Sequence, residues 1–329
     1  MEGALDAVAA RLRDGRGLAG KRDIAAAVAA LGLDAGAAVA VGDDCAAIPD
    51  GDGHLLLAIE GFIDAFVAAE PWFAGYCGVM VNLSDVAAMG GRPVAVVDAL
   101  WARDGEAAAP VLEGLRAGAA RYGVPVVGGH TNTRSERGGL AVAVLGRARR
   151  LMTSFDAVPG QDLVMAADLR GAYRAPASTN WDASTGAPAE RLRGDLALLP
   201  EIAEAGLCAA AKDISMAGTV GTAAMLAECS GVGARIDLGA VPRPEGVDPF
   251  RWLATFPSYG YLLATAPRDT PAVLARFAAR GIAAARIGGI EAGTRLRVAE
   301  GRAEAVVWDF AAEPLTGCAA GPRHGTARP

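Results

Sequence analysis

Carboxylates recur where apolar runs end or where an apolar helix carries them. Asp43 and Asp44 follow Val41-Gly42, Glu60 follows the run Leu55 to Ile59, and Asp85 closes Asn82-Leu83-Ser84-Asp85. Acids gathered in one place repel each other unless a cation joins them, and hard oxygen ligands suit Mg²⁺ holding a phosphate chain. The implied chemistry is a divalent metal with a nucleotide. Taken singly, Asp43 and Asp44 are also ordinary turn residues, and Asp85 an ordinary acid on a solvated helix face. Asp85 fits that plain reading poorly, because Leu83, Val86 and Met89 surround it in the most apolar helix of the chain, and a buried acid needs partners.

Two further constellations stand at strand ends. The run Val124 to Val127 leads into Gly128-Gly129-His130-Thr131-Asn132, where glycines let a backbone approach a phosphate closely. Lys212-Asp213-Ile214-Ser215 leads into a helix, with Asp213 near its N-terminus; an ordinary capped helix start would look the same. Only Lys21 and Lys212 are lysine among 31 basic residues. A chain so biased to arginine keeps lysine where a compact ammonium is wanted rather than a planar fork. Gly15 to Lys21 spells GxxxxGK, but Arg22 stands where a P-loop needs Ser or Thr and no apolar strand precedes Gly15. With three histidines, one of them His324 in the C-terminal tail, a three-histidine metal centre and a histidine-dependent hydrolase triad are both disfavoured.

The elements that must position these residues alternate. An amphipathic start is followed by a mobile glycine-rich stretch over 14–20 and a helix over 21–31. A strand over 37–41 leads to the acid pair, and a strand over 55–59 to Glu60. Pro71 begins a helix that stops at Gly90-Gly91. Strands over 94–100, 124–127 and 140–145 and a helix over 106–122 complete a first half of about 150 residues. The second half reads as strands over 163–167, 209–212, 234–238, 259–265 and 283–287, with helices over 189–205, 217–229, 247–254 and 270–280. Between them, the loop 171–188 is too long to be ordinary. Alternation of this kind argues an α/β layer.

The chain has 329 residues, 52% of them hydrophobic, with 43 glycines. That composition excludes disorder as the main state. A net charge of −6 lacks the basic surface of non-specific nucleic-acid binding. Early charges break any secretory apolar region and no later run of about 18 residues is uncharged and apolar, so a cytoplasmic protein without membrane contact is expected. The five cysteines never fall in CxxC spacing, which supports neither a disulfide framework nor a zinc ribbon.

At these residues the chain resembles the superfamily of aminoimidazole ribonucleotide (AIR) synthetase, selenophosphate synthetase, thiamine-monophosphate kinase and the hydrogenase-maturation carbamoyl dehydratase. The match runs over about residues 20–310. Val-Gly-Asp43-Asp44-Cys-Ala-Ala resembles the family's GDDAA, and Asn82-Leu-Ser-Asp85-Val-Ala-Ala-Met-Gly90 is similar to its NLSDIAAMG. Gly128-Gly129-His130-Thr131 resembles the GGHT of selenophosphate synthetases. Lys212-Asp213-Ile-Ser215 resembles the DVS start of the substrate-domain helix, and Ile287-Gly288-Gly289-Ile290 a late IGxI strand.

The resemblance implies a PurM-like two-domain α/β (α+β) fold. The N-terminal halves of two subunits would pair into a shared β-barrel, with ATP and Mg²⁺ beside the dimer interface, and the C-terminal α/β half would supply the substrate wall. The expected domains are a glycine-rich segment and helix (1–35), an ATP-binding and dimerisation domain (36–155), a C-terminal domain (156–310) and a flexible tail (311–329). Carried over, Asp43, Asp44, Asp85 and Asp213 match metal or phosphate positions. Glu60 stands where relatives have the Asp of a Thr-Asp pair. Asn82, Gly128, Gly129, His130 and Thr131 fall on ATP- or phosphate-binding positions. Lys21 resembles a catalytic lysine that closes over phosphates, and Lys212 with Asp213 and the 171–188 loop would meet the acceptor.

Departures bear on the substrate. Met216-Ala217-Gly218 replaces the end of the DVSDGL motif, which speaks against thiamine monophosphate. The N-terminal segment has no Cys or selenocysteine, and Cys318 is followed by eleven more residues, unlike the cysteine tail of the carbamoyl dehydratase. The expectation is therefore an ATP- and Mg²⁺-dependent phosphotransferase or ATP-activating synthetase, homodimeric, acting on a small polar substrate. The alternative is a catalytically silent nucleotide-binding or scaffold homologue.

Overall fold

The computed structural model describes residues 2–33 and 39–318. Helices α1 (Glu2–Arg13), α2 (Arg16–Ala19) and α3 (Asp23–Leu31) come first, with a 3-10 turn over Gly20–Arg22 that carries Lys21. The glycine-rich stretch expected to be mobile is docked instead. Leu18 is buried, and a Cβ on Gly17 would lie 2.2 Å from the Met216 carbonyl oxygen, so only glycine permits that approach. Arg13 Nε donates to the Val307 carbonyl at 2.8 Å. The GxxxxGK string thus forms helix and turn, with no strand before it among the described residues.

The first half contains β1 (Ala46–Asp50), β2 (Gly53–Phe62), α4 (Asp64–Ala69), α5 (Pro71–Ala88), β3 (Arg92–Trp101), α6 (Gly105–Tyr122), β4 (Val126–Asn132) and β5 (Gly139–Ala148). The strand expected over 37–41 is not found. Residues 37 and 38 lie outside the described residues, 39–45 form no strand, and β1 starts at Ala46. The sheet order is β1-β2-β5-β3-β4, antiparallel except for the β3–β4 pair. Nearly every residue of α5 is buried. It crosses α6 at glycines: a Cβ on Gly75 would sit 2.0 Å from the Val111 carbonyl oxygen, and one on Gly114 1.9 Å from that of Trp72. Leu56, Ala58, Val142 and Val144 are buried on one side of the sheet, whereas Leu57, Ile59, Val97, Trp101 and Leu145 stand exposed on the other. An antiparallel sheet with period-two alternation normally puts polar residues on its open face; this one does not.

The second half contains β6 (Asp162–Ala167), β7 (Ala172–Tyr173), β8 (Asn180–Asp182), α7 (Ala189–Leu196), α8 (Leu198–Glu204), β9 (Ala210–Asp213), α9 (Gly218–Ser230) and β10 (Gly233–Asp237). Then follow α10 (Pro249–Leu253), β11 (Phe256–Pro257), β12 (Gly260–Thr265), α11 (Thr270–Ala278), β13 (Ala283–Glu291), β14 (Arg295–Glu300) and β15 (Ala303–Asp309). Seven strands form one sheet in the order β15-β14-β10-β13-β6-β12-β9, and β7 and β8 of the long loop form a small second one with β11, in the order β11-β8-β7. Strands β6 and β12 are buried along their whole length, as central strands covered on both faces must be. The helix expected over 189–205 divides at Ala197, and the last two strands were not foreseen.

The expectation of a frayed tail over 311–329 is corrected at its described residues, 311–318; the rest lies outside the described residues. Residues 315–318 are packed, with Leu315, Thr316 and Cys318 buried. The buried Glu228 carboxylate accepts from the Leu315 and Thr316 amides at 2.6 and 2.7 Å and from Thr316 Oγ1 at 2.6 Å. His324 lies outside the described residues. No helix among the described residues is long and apolar enough to cross a membrane.

Candidate active site

Three carboxylates from three separate elements converge. Asp44 comes from the turn before β1, which Gly42 makes possible with φ +117°. Asp85 comes from the last turns of α5, and Asp213 from the end of β9. Ligand oxygens of the three lie within 4.8 Å of one another. The Asp213 amide donates to Asp44 Oδ2 at 3.1 Å, which fixes the turn against the strand end. Lys212, one residue earlier on β9 and buried, forms an ion pair with Asp44 and lies 3.9 Å from Asp43 Oδ1.

The charges do not balance. Burial raises the pKa of Asp85, and Asp213, Asp44 and Glu60 push it further. Burial likewise raises that of Asp213, with Asp44 adding to it and Lys212 opposing. For Lys212, burial disfavours the charge, but Asp44, Asp43 and Asp213 outweigh it and its pKa is raised. One ammonium thus faces an excess of acids. Asp85 Oδ2 is buried without a hydrogen-bond partner, and the Oδ1 of Asn82, one turn earlier, is equally orphaned. An unpartnered buried oxygen among clustered carboxylates is what a hard cation with oxygen ligands would satisfy. The donor set therefore fits Mg²⁺.

Around this centre lies a cavity of about 500 Å³ between the two halves. Its charged end holds Asp43, Asp44, Glu60, Asp85, Asp213, Lys21 and Lys212. Its wall includes residues 177–181 of the long loop and the aromatic rings of Phe62, Phe66, Phe73 and Phe256.

Models of the AIR synthase related protein family match on both sides of this cavity, the N-terminal domain over residues 42–148 and the C-terminal domain over 177–300. The chain belongs to the AIR synthase related family. Its relatives include the uncharacterized protein sll0787 of Synechocystis sp., 49% identical over 282 residues, which are 86% of this chain and 88% of that protein. Among solved structures, Thermotoga maritima PurL complexed with ADP superposes with a TM-score of 0.71 at 22% identity, over 85% of this chain and 47% of that one. The chain thus spans about half of that PurL. AaThiL complexed with AMPPCP and TMP superposes with a TM-score of 0.65 at 19% identity, over 86% and 95% of the two chains. The mixed α/β architecture is the PurM-like fold of this family.

Within that family fold, some expected site residues are not together. Asp43 lines the cavity but is not one of the three clustered carboxylates: its oxygens accept from the Ser154 amide and hydroxyl, both at 2.6 Å, and Oδ1 also accepts from the Asp44 amide at 2.9 Å. Burial raises its pKa to about 6, with Lys212 pulling the other way. Asp43 is a brace for Asp44 rather than a member of the carboxylate cluster. Glu60 shares the cavity without joining the cluster, and burial raises its pKa against the pull of Lys21. Asn82 is internal and donates to the Gly78 carbonyl at 2.8 Å.

Gly128, Gly129, His130 and Thr131 lie within a strand rather than in a loop after it. They run through β4, an exposed sheet edge, and none of them lines the cavity. Sequence reasoning missed Ser154, Glu228 and the phenylalanine wall. A period-two signal was available for one of these: Glu60 and Phe62 sit two residues apart on β2, so they share a face.

Proposed function

We propose that the protein is an ATP- and Mg²⁺-dependent phosphotransferase or ATP-activating synthetase that acts, as a homodimer, on a small substrate. The observation that carries this reading is the convergence of Asp44, Asp85 and Asp213 beside Lys212, with an unpartnered buried oxygen on Asp85. Solved proteins of the same fold are complexes with ADP and AMPPCP, which supports a nucleotide as the partner of such a centre.

Asp44, Asp85 and Asp213 would hold Mg²⁺, which when bound neutralises triphosphate charge and orients the γ-phosphoryl group. The protein's own groups do the rest. Lys212 holds Asp44 in place and supplies a fixed positive charge in a water-poor site, where such a charge acts strongly. Asp43, clamped by Ser154, fixes the Asp44 backbone. Lys21, which lines the cavity from the docked N-terminal segment, would meet phosphate oxygens. The 177–181 segment lines the same cavity and would contact the acceptor.

The exposed apolar sheet face supports the homodimer. A second copy would cover Leu57, Ile59, Val97, Trp101 and Leu145 and bring its own β4, with Gly128 to Thr131, toward the neighbouring subunit.

The test is ATP turnover by the purified protein, with and without Mg²⁺, against small hydroxyl, amine and amide compounds, the products read by ³¹P NMR. Substrate-stimulated ADP with a new phosphorus signal supports phosphoryl transfer, and ADP with free phosphate supports ATP-driven activation. Nucleotide binding without turnover by any compound would transfer the reading to a silent homologue.

A further inference from the structure

The cavity changes character over a short distance. Glu60 and Phe62 stand on the same face of β2, two residues or about 7 Å apart, and with Phe62 the charged end gives way to an aromatic wall. The Phe62 and Phe66 centroids are 6.3 Å apart, and Phe73 meets Phe66 edge-on at 6.0 Å. Phe62, Phe66 and Phe256 are only half-buried although they line a cavity. Rings left partly uncovered in a concave wall gain by burying a ligand's apolar surface.

The charge pattern sharpens the choice of ligand. The chain is rich in arginine, the side chain best shaped to fork a phosphate, yet among the described residues no arginine lines this cavity. Arg174 stands behind the wall, stacked on Phe73 at 4.0 Å and bonded to Glu70 at 2.7 Å, so its fork is already committed. Five acids against two lysines line the charged end. With Asp44, Asp85 and Asp213 committed to Mg²⁺ and its triphosphate, and Lys212 to Asp44, the lining offers Lys21 as its one further cation among the described residues, too little to fork a second anionic group on the acceptor.

We infer that the acceptor carries no phosphate: it is a neutral or cationic molecule with a planar or alkyl apolar body, which presents a hydroxyl or amine about one ring-width from the Phe62–Phe66–Phe73 wall. This rests on the phosphoryl-transfer reading above. In that step the acceptor's oxygen or nitrogen bonds to the γ-phosphorus, the bridging P–O bond breaks with its electron pair leaving on ADP, and the acceptor proton passes to water.

The experiment measures binding of 2-phenylethanol, phenethylamine and phenyl phosphate to the full chain by ligand-observed NMR, with and without Mg²⁺ and AMPPNP. The inference expects the alcohol and the amine to bind at least tenfold more tightly than phenyl phosphate. It expects F66A and the gentler F62L to weaken them at least fivefold while AMPPNP affinity changes less than twofold. Equal or tighter binding of phenyl phosphate overturns it. So does a loss of AMPPNP affinity in F66A with the probes unaffected, which would make the wall a purine site. Absence of AMPPNP binding in the unaltered protein would count against the proposed function alone, because the probes are also measured without nucleotide.

Discussion

Lys212 and Asp44, 168 residues apart in the chain, form a buried ion pair that ties the two halves together at the carboxylate centre. The ammonium is compact enough to sit against Asp44 and still lie 3.9 Å from Asp43. A guanidinium is broader and needs a planar set of acceptors. Lys212→Arg should therefore lower kcat by about 100-fold, the scale of losing one preorganised charge. Lys212→Met should destabilise the metal-free protein by roughly 3–5 kcal/mol, because buried carboxylates lose their cation. Steady-state kinetics and urea unfolding check the two.

Metal affinity should rise with pH. Asp85 and Asp213 keep their protons above the usual carboxylate range because burial and neighbouring acids disfavour the charge. Mg²⁺ must displace those protons, so binding releases them and strengthens as pH climbs through the raised values. Stability of the metal-free protein should run the other way. A folded-state pKa of about 6 for Asp43, above its ordinary 3.8, means the native state holds a proton that the unfolded chain has lost, and that stabilisation disappears as pH rises toward and past 6. Calorimetry in buffers of different ionisation enthalpy and unfolding at several pH values read these two slopes.

The legible part of the site was the part encoded locally. Asp85 declared itself because its helix is apolar on every side, and the lysines because the chain otherwise uses arginine. That Asp43 stands outside the cluster was not legible, because Ser154, which holds its carboxylate, is 111 residues distant. Gly128 and Gly129 suggested a phosphate loop, yet strand pairing with β3 governs them, and pairing partners are invisible in a single segment. Residues 315–317 read as loose chain from their own composition, while what holds them is the Glu228 carboxylate on α9, 87 residues away from Leu315. In contrast, β14 carried a readable signal, since Leu296 and Val298 alternate with Arg295 and Arg297.

Glu228→Ala should cost roughly 2–4 kcal/mol of stability, because it leaves two buried amides and the Thr316 hydroxyl without their acceptor. Thr316 lines the cavity and Cys318 packs on Gly42, so the same change should also weaken Mg²⁺ binding several-fold. Differential scanning calorimetry gives the first quantity and a metal titration the second.

Ile59 is 69% exposed at the centre of the apolar sheet face. Ile59→Lys should place a charge in the proposed interface and convert a dimer to a monomer, as read by light scattering coupled to size exclusion, with the circular dichroism spectrum unchanged.

The most direct test of the central claim is a calorimetric titration of Mg²⁺ into the protein saturated with AMPPNP, comparing the unaltered chain with Asp85→Asn. The substitution removes one of the three clustered carboxylates and relieves repulsion, so the metal-free fold should survive and gain stability. The account predicts saturable Mg²⁺ binding in the unaltered protein and a loss of at least about 100-fold in Asp85→Asn. Equal affinity in the two proteins would contradict the assignment of Asp44, Asp85 and Asp213 as the metal centre.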